Sequence, residues 1–300
     1  MGLHGVATGG PEATHQLSDA LIEQGFDARL VYFKWDDLRE GLPAEFPAYT
    51  SFAPEYERYK VNLARSVPDQ EGNVIVIPET LAMLAPAFRQ AKVLVWWLSV
   101  DNAFGALSGL NLNWLRRPNV FHASQSIYAE NFTKALGLNS LGMLSDYTID
   151  LTEYATPLPM SERPKIVAFN ARPDKVIADL PAIGEAIAEL DPEIRCIAIA
   201  GMSRPEIAAV FAASRVYVDL GNFPGKDRMP REAASMGCAV IVSGEGGSHE
   251  MSFADETEFW DCTRDIVVAV NTYGGSFAAP GNERDTFNTE VRDVFTALQA

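Results

Sequence analysis

Short apolar runs alternate with helical periodicity along nearly all of this chain, and that alternation restricts the architecture more than any other feature. Apolar runs of four to six residues are too short for helices and unbroken by the polar positions of a one-sided strand, so they read as strands buried on both faces. The expected class is α/β, with doubly wound parallel sheets. In the first half the candidate strands are Ala28 to Phe33, Asn73 to Ile77, Val93 to Leu98, Asn119 to His122 and Leu141 to Leu144. Helices fit between them: Ala13, Leu17, Ala20 and Leu21 make one apolar stripe, and Ser126 to Leu136 ends at Gly137, a good C-cap.

The pattern pauses from Ala155 to Pro164, where three prolines and no periodicity predict a linker, and then restarts. Lys165 to Phe169, Ile194 to Ala200, Arg215 to Leu220 and Cys238 to Ser243 read as strands. Asp179 is placed to cap a helix carrying Leu180, Ile183, Ile187 and Leu190, and Ser203 with Glu206 forms a capping box. A last helix from about Glu283 aligns Phe287, Val291, Val294, Phe295 and Leu298 on one face. The expected organisation is a domain over 1–154, a linker over 155–164, a second domain over 165–282 and a helix, 283–300, docking across both, with a cleft between the domains.

The start of the chain conflicts with this scheme. Met1-Gly-Leu-His-Gly-Val-Ala-Thr-Gly-Gly has loop composition where a doubly wound domain has its central first strand. Three explanations stand: a natural start further upstream, a stunted strand within Leu3 to Ala7, or a rearranged domain. The first is preferred, and with it faster amide exchange before Asp150 than after Lys165.

Composition then excludes several functions. Forty acids against 24 Lys and Arg give a net charge of -16, which repels phosphate backbones and anionic lipid, so nucleic acid is not an expected partner. Cys196, Cys238 and Cys262 are three, without metal-ligand spacing, which favours a reducing compartment and argues against zinc. No apolar stretch reaches the length of a membrane span and no signal peptide is visible, so the expected location is the cytoplasm.

Three constellations carry chemistry. Thr8-Gly9-Gly10-Pro11-Glu12 places two glycines before a helix whose first residue is expected to be Pro11; such a start offers N–H groups and a positive dipole end to an anion. The third glycine of the dinucleotide fingerprint is missing, which counts against a nicotinamide oxidoreductase. Phe169-Asn-Ala-Arg172-Pro-Asp-Lys175 follows a strand, so two cations are placed where open α/β sheets bind ligands. Finally, Asp219-Leu-Gly-Asn-Phe-Pro-Gly-Lys226-Asp227-Arg228 leads into a short helix bearing Arg231 and Glu232, then a glycine and a strand, followed by Gly244-Glu-Gly-Gly-Ser-His-Glu.

With these residues in view, the chain resembles the group 1, family 4-like nucleotide-sugar glycosyltransferases of GT-B fold. The resemblance runs through Pro224 to Ser243, Arg172, Lys175 and Gly9-Gly10-x-Glu12, and through Trp96-Trp97-Leu98-Ser99-Val100-Asp101-Asn102 and Ser124-Gln125-Ser126-x-Tyr128. It implies that Gly9, Gly10, Arg172, Lys175, Lys226 and Arg228 meet the donor diphosphate and that Glu232, matching the second Glu of a Glu-x7-Glu motif, holds the ribose. Pro224 stands where the first Glu would fall, and Asp227 or Lys226 is the expected substitute.

The resemblance further implies retaining, metal-independent transfer of a sugar from a nucleoside diphosphate sugar to a glycan or other hydroxyl acceptor, with no further cofactor. Consistent with it, the chain has no Asp-x-Asp triplet, and the Asp36-Asp37 pair reads as a turn. Asp101, His122, Asp227 and Arg228 are the catalytic candidates, and Glu12, Ser99, Asn102, Ser124 and Ser126 the acceptor-side ones; His15 and His249 have weaker claims. The alternatives are a nucleotide-sugar epimerase, recognised by epimer formation without acceptor, and a non-catalytic binding protein, recognised by saturable binding without turnover.

Overall fold

The computed structural model describes residues 1–49, 53–173, 175, 178–243, 246–250, 262–273 and 283–299. These divide into two compact units, Met1–Tyr147 with Glu283–Ala300, and Thr148–Asn282.

The first unit has strands β1 (Gly2–Leu3), β2 (Leu30–Phe33), β3 (Leu63–Ala64), β4 (Val74–Pro78), β5 (Lys92–Trp97), β6 (Val120–Ser124) and β7 (Ser140–Met143). They pair in parallel as β1-β2-β3 and β4-β5-β6-β7. The amino group of Met1 donates to the carbonyl of Val76 at 2.9 Å, which sets β1 beside β4. From there β2 and β3 run one way and β5 to β7 the other, so strand order reverses between β1 and β4. The helices are α1 (Gly9–Glu23), α2 (Ala103–Leu107), α3 (Ile127–Ala135) and, from the end of the chain, α8 (Glu283–Gln299).

A first strand therefore exists, at Gly2–Leu3 rather than within Leu3 to Ala7. Its two residues pair with Tyr32 and Phe33. At the other ends of β2 and β4 lies a cavity of about 750 Å³, bordered by Met1, Leu30, Val31, Val74, Ile75 and Leu298 among others.

Helix α8 docks on the first unit. Phe287, Val291, Val294, Phe295 and Leu298 are buried with Ala13, Leu17, Trp96 and Tyr147, while the Glu290 carboxylate accepts from the Ser145 N–H at 2.6 Å. The apolar stripe expected from the sequence is the face that packs in the first unit, to which α8 belongs.

In the second unit, β8 (Ile166–Asn170), β9 (Arg195–Ile199), β10 (Val216–Asp219) and β11 (Ala239–Val242) form a parallel sheet of order β11-β10-β8-β9. Val167, Phe169, Val216 and Val218 pack with Ile187 of α4 (Leu180–Leu190) and Ile266 and Val270 of α7 (Cys262–Thr272). Ala168 and Tyr217 pack with Ala208 and Phe211 of α5 (Arg204–Ala213) and Ala233 of α6 (Arg228–Ser235). Strand residues thus alternate between two helical layers, as double winding requires. The Ser203–Glu206 capping box forms at the start of α5.

The expected linker belongs to this second unit. Ile149 and Leu151 lie in its core, and the Leu158 N–H donates to the Ala212 carbonyl at 3.1 Å. Arg163, only 4% exposed, donates to the carbonyls of Leu158 at 2.8 Å, Ser214 at 2.6 Å and Met236 at 2.6 Å. Ser214 and Met236 are the C-caps of α5 and α6, so the guanidinium meets the negative ends of two helix dipoles. Three prolines without periodicity are here a tethered coil, and the division between units falls after Tyr147 instead of after 154.

Candidate functional site

Chain order in the second sheet turns back between β8 and β10, and ligands of open α/β sheets sit at the C-terminal ends of such a strand pair. The residues there are Asn170 and Asp219, one step beyond the Phe169–Val218 pair. Asn170 Nδ2 donates to Asp219 Oδ2 at 2.8 Å, and Tyr217 Oη donates to the same oxygen at 2.9 Å. The remaining oxygen, Asp219 Oδ1, is buried without a hydrogen-bond partner among the described residues. Burial first, and then the charge of Asp219, push the Tyr217 phenol well above its ordinary range.

The loop after β10 closes over this pair. A Cβ on Gly221 would stand 2.8 Å from the Lys175 carbonyl oxygen and 3.0 Å from Asp219 Oδ1, so only glycine fits. Lys175, after β8, pairs with the Asp227 carboxylate and lies 5.6 Å from the centre of the Phe223 ring. Burial raises the Asp227 carboxyl above the usual carboxylate range against the opposing pull of Lys175. Arg231 is 2% exposed and donates to the carbonyls of Asp227 and Lys226, each at 3.2 Å, so it braces the loop at the start of α6 and does not face solvent. Lys226, Arg228 and Glu232 are half-buried nearby in sequence, and Arg172 is exposed, its N–H donating to Asn170 Oδ1 at 3.2 Å.

The glycines after β11 have a packing reason. Cβ atoms on Gly246 and Gly247 would lie 2.2 Å from the Phe223 carbonyl oxygen and 2.4 Å from that of Gly225. They let two loop backbones touch. Gly244 and Glu245 lie outside the described residues, as does the His249 side chain.

In the first unit the helix begins two residues earlier than Pro11: Gly9 and Gly10 are the first residues of α1 and Thr8 is its N-cap. Beyond Gly10, at the end of β5, the Glu79 carboxylate accepts from the Leu98 N–H at 2.9 Å. Glu79 is 3% exposed, and burial holds its pKa up at about 7 although the backbone N–H groups of Leu98 and Ser99 oppose this. Asp101 accepts from Tyr128 Oη at 2.9 Å and Asn102 is exposed. The hydroxyls of Ser99 and Ser124 are buried without partners among the described residues.

Four expectations on this side change. His122 is fully buried; Nδ1 accepts from Trp97 Nε1 at 3.0 Å and Nε2 donates to the Leu115 carbonyl at 2.8 Å, while burial lowers its pKa to about 4. Both ring nitrogens are in use, so it has none for an acceptor hydroxyl. Glu12, 2% exposed, accepts from Tyr59 Oη at 2.8 Å inside the unit. Ser126 caps α3 through the Ala129 N–H at 3.1 Å. His15 is buried with Nδ1 at the Pro11 carbonyl and Nε2 at Tyr32 Oη. A polar residue at a strand end signals a site in sequence only until its own backbone or core claims it.

The structure adds Asn170, Tyr217, Asp219 and Glu79 to the residues read from the sequence. The first three form the ends of two strands 49 residues apart at Asn170 and Asp219, a proximity visible only once the sheet order is known. Among the described residues no three His, Cys, Asp or Glu side chains are grouped to hold a metal ion. No described helix is long and apolar enough to cross a membrane.

No family model matches this sequence, and no curated protein matches it. Solved structures do resemble it in fold. A glycosyltransferase from Rickettsia africae ESF-5 superposes with a TM-score of 0.58 at 10% identity, covering 99% of this chain and 96% of that one. Sucrose-phosphate synthase from Thermosynechococcus elongatus gives 0.53 at 12% identity, over 100% and 90% of the two chains. The catalytic domain of starch synthase IV from Arabidopsis thaliana, bound to ADP and acarbose, gives 0.51 at 11% identity, over 98% and 94%. The fold is accordingly Rossmann-like α/β, matching glycosyltransferases of GT-B type.

Proposed function

We propose that this chain is a glycosyltransferase that moves a sugar from a nucleoside diphosphate sugar to a hydroxyl acceptor. The observation that carries the reading is the place of Lys175 and of the Lys226–Arg228 loop at the strand-order reversal between β8 and β10, ahead of the N-terminus of α6. Cations and a helix start there suit a diphosphate. One structural neighbour was solved with ADP, which agrees with a nucleotide in this fold.

In this reading Arg172, Lys175 and Arg228 neutralise the diphosphate, Glu232 accepts from the ribose hydroxyls, and Lys226 and Asp227 serve the sugar. Charge that grows on the leaving diphosphate is met by fixed cations and by the dipole of α6, without a metal. Retention at the transferred carbon is part of the proposal. Gly9 and Gly10 are assigned to close approach of the donor, and Ser99, Asp101 and Asn102 to the acceptor. The free thiols of Cys196 and Cys238 accord with action in a reducing compartment, taken as the cytoplasm.

A thermal-shift screen against uridine, guanosine and adenosine diphosphates tests the donor site; a ligand at 100 times its Kd stabilises by about 2.7 kcal/mol. Glu232→Ala is expected to weaken the nucleotide that binds by about tenfold or more without unfolding the chain. Turnover across an acceptor panel should survive a chelator. Binding without turnover would point to a carbohydrate-recognition protein on the same fold, and chelator-sensitive turnover restored by manganese would contradict the metal-free mechanism.

A further inference from the structure

We infer that Asp227 is an internal competitor for the diphosphate subsite: its carboxylate holds Lys175, and a diphosphate that engages this lysine must displace it. The inference rests on the nucleotide-sugar reading and adds an anion built into the chain.

Asp227 and Lys175 are 52 residues apart, one on the loop before α6 and the other on the loop after β8. Their side chains are 22% and 17% exposed, so the pair is shielded from water and its attraction is screened less than that of a surface ion pair. Aspartate is a preferred N-cap, and Asp227 occupies that position of α6. Its side chain nevertheless makes no cap hydrogen bond and is given to Lys175 instead.

The charges that face Asp227 are Lys175 from the β8 loop, Asp219 from the end of β10 and Arg231 from α6. Arg231 directs Nε and Nη2 to the backbone carbonyls of Asp227 and Lys226. Asp219 repels Asp227, so Lys175 is the cation that compensates the Asp227 carboxylate directly. A diphosphate arriving at Lys175 brings like charge against Asp227. The two anions cannot share one ammonium group at close range without a cost to affinity.

This arrangement has a sign that a merely structural aspartate would not have. Removing a structural carboxylate weakens a site; removing a competitor strengthens it. It also bears on turnover, because a carboxylate that returns to Lys175 assists departure of the nucleoside diphosphate product.

Calorimetric titrations of uridine, guanosine and adenosine diphosphates into the wild-type chain, Asp227→Asn, Lys175→Met and the double variant decide the matter. Asparagine keeps the size and the N-cap preference of residue 227 while removing its charge. The expected result is a nucleotide bound about tenfold or more tightly by Asp227→Asn, with that gain absent in the Lys175→Met background. Equal or weaker binding by Asp227→Asn, where the wild type binds, overturns the inference and leaves the proposed function standing. A gain that persists without Lys175 overturns it as well, since repulsion alone then accounts for the effect. Binding of none of the three nucleotides by any variant overturns both the inference and the nucleotide-sugar reading.

Discussion

Asn170 donates to Asp219 across the ends of the two strands between which the second sheet changes direction, at 2.8 Å. The amide also fixes its other end, since Asn170 Oδ1 accepts from the Arg172 N–H. One side chain thereby sets both the buried carboxylate and the first turn of the cation-bearing loop.

Truncating that amide should damage stability and site together. Among the described residues, Asn170→Ala leaves the buried Asp219 carboxylate with Tyr217 as its donor and releases the Arg172 turn. We expect a loss of about 2 to 3 kcal/mol in urea unfolding, the range for a hydrogen bond to a buried charge, and weaker nucleotide binding. A variant as stable as the parent would show that Asp219 finds compensation elsewhere.

Glu79 makes stability depend on pH in a defined direction. Its pKa of about 7 in the folded chain lies above the ordinary 4.5, so the folded state holds this proton more tightly than the unfolded one. Its contribution is present in full below about 4.5 and is lost as pH rises through about 7. The difference amounts to about 3 kcal/mol. Glu79→Gln keeps an acceptor for the Leu98 N–H and removes the titration. Against the parent, the variant should gain relative stability between pH 5 and 8, as read from urea midpoints; parallel curves for the two proteins would exclude Glu79 as the source.

Legibility in the sequence tracked the length of the signal. The nine described strands of four residues or more are readable, most plainly where burial on both faces leaves no polar interruption, as in Val93 to Trp97. The strands Gly2–Leu3 and Leu63–Ala64 have two residues each, too few to show any period. Lys175 and Arg228 stand out in the sequence because loops after strands concentrate ligand groups, and Asp227 through the resemblance at Pro224. Asp219 opens the third constellation without a role of its own, because its pairing with Asn170 depends on which strands become neighbours. His122, Glu12 and Ser126 stand out for the converse reason: the sequence shows a polar group near a strand end or a helix start, while only the structure shows Leu115, Tyr59 and Ala129 already bound to it.

Arg163 explains why a proline-rich coil is packed, and its removal tests that explanation. Arg163→Met keeps the aliphatic stem and withdraws the donors from the carbonyls of Leu158, Ser214 and Met236. Leaving buried acceptors unpaired costs about 1 to 3 kcal/mol each where water does not replace the donor. We expect the second unit to lose at least about 3 kcal/mol, with proteolytic cleavage appearing between Ala155 and Pro164. An uncleaved variant with unchanged stability would reduce the guanidinium to a bystander.

Gly10 separates a glycine kept for folding from one kept for a ligand. It is the second residue of α1, and a Cβ placed on it would have Leu98 Cδ1 as its nearest neighbour, at 4.0 Å. That is an ordinary contact, so the fold does not need glycine at this position, in contrast to Gly221 with the Lys175 carbonyl 2.8 Å from its Cβ. Gly10→Ala should therefore leave the melting temperature unchanged or raise it slightly, since alanine is the better helix former by up to about 1 kcal/mol. If a donor passes close to the start of α1, the same methyl group obstructs it, and transfer should fall by about tenfold or more, because small misplacements of a reacting group are costly. Gly221→Ala supplies the opposite pattern, with lost stability before any question of binding arises. Full transfer by a stable Gly10→Ala variant would remove the start of α1 from the path of the donor and leave nucleotide recognition to the second unit.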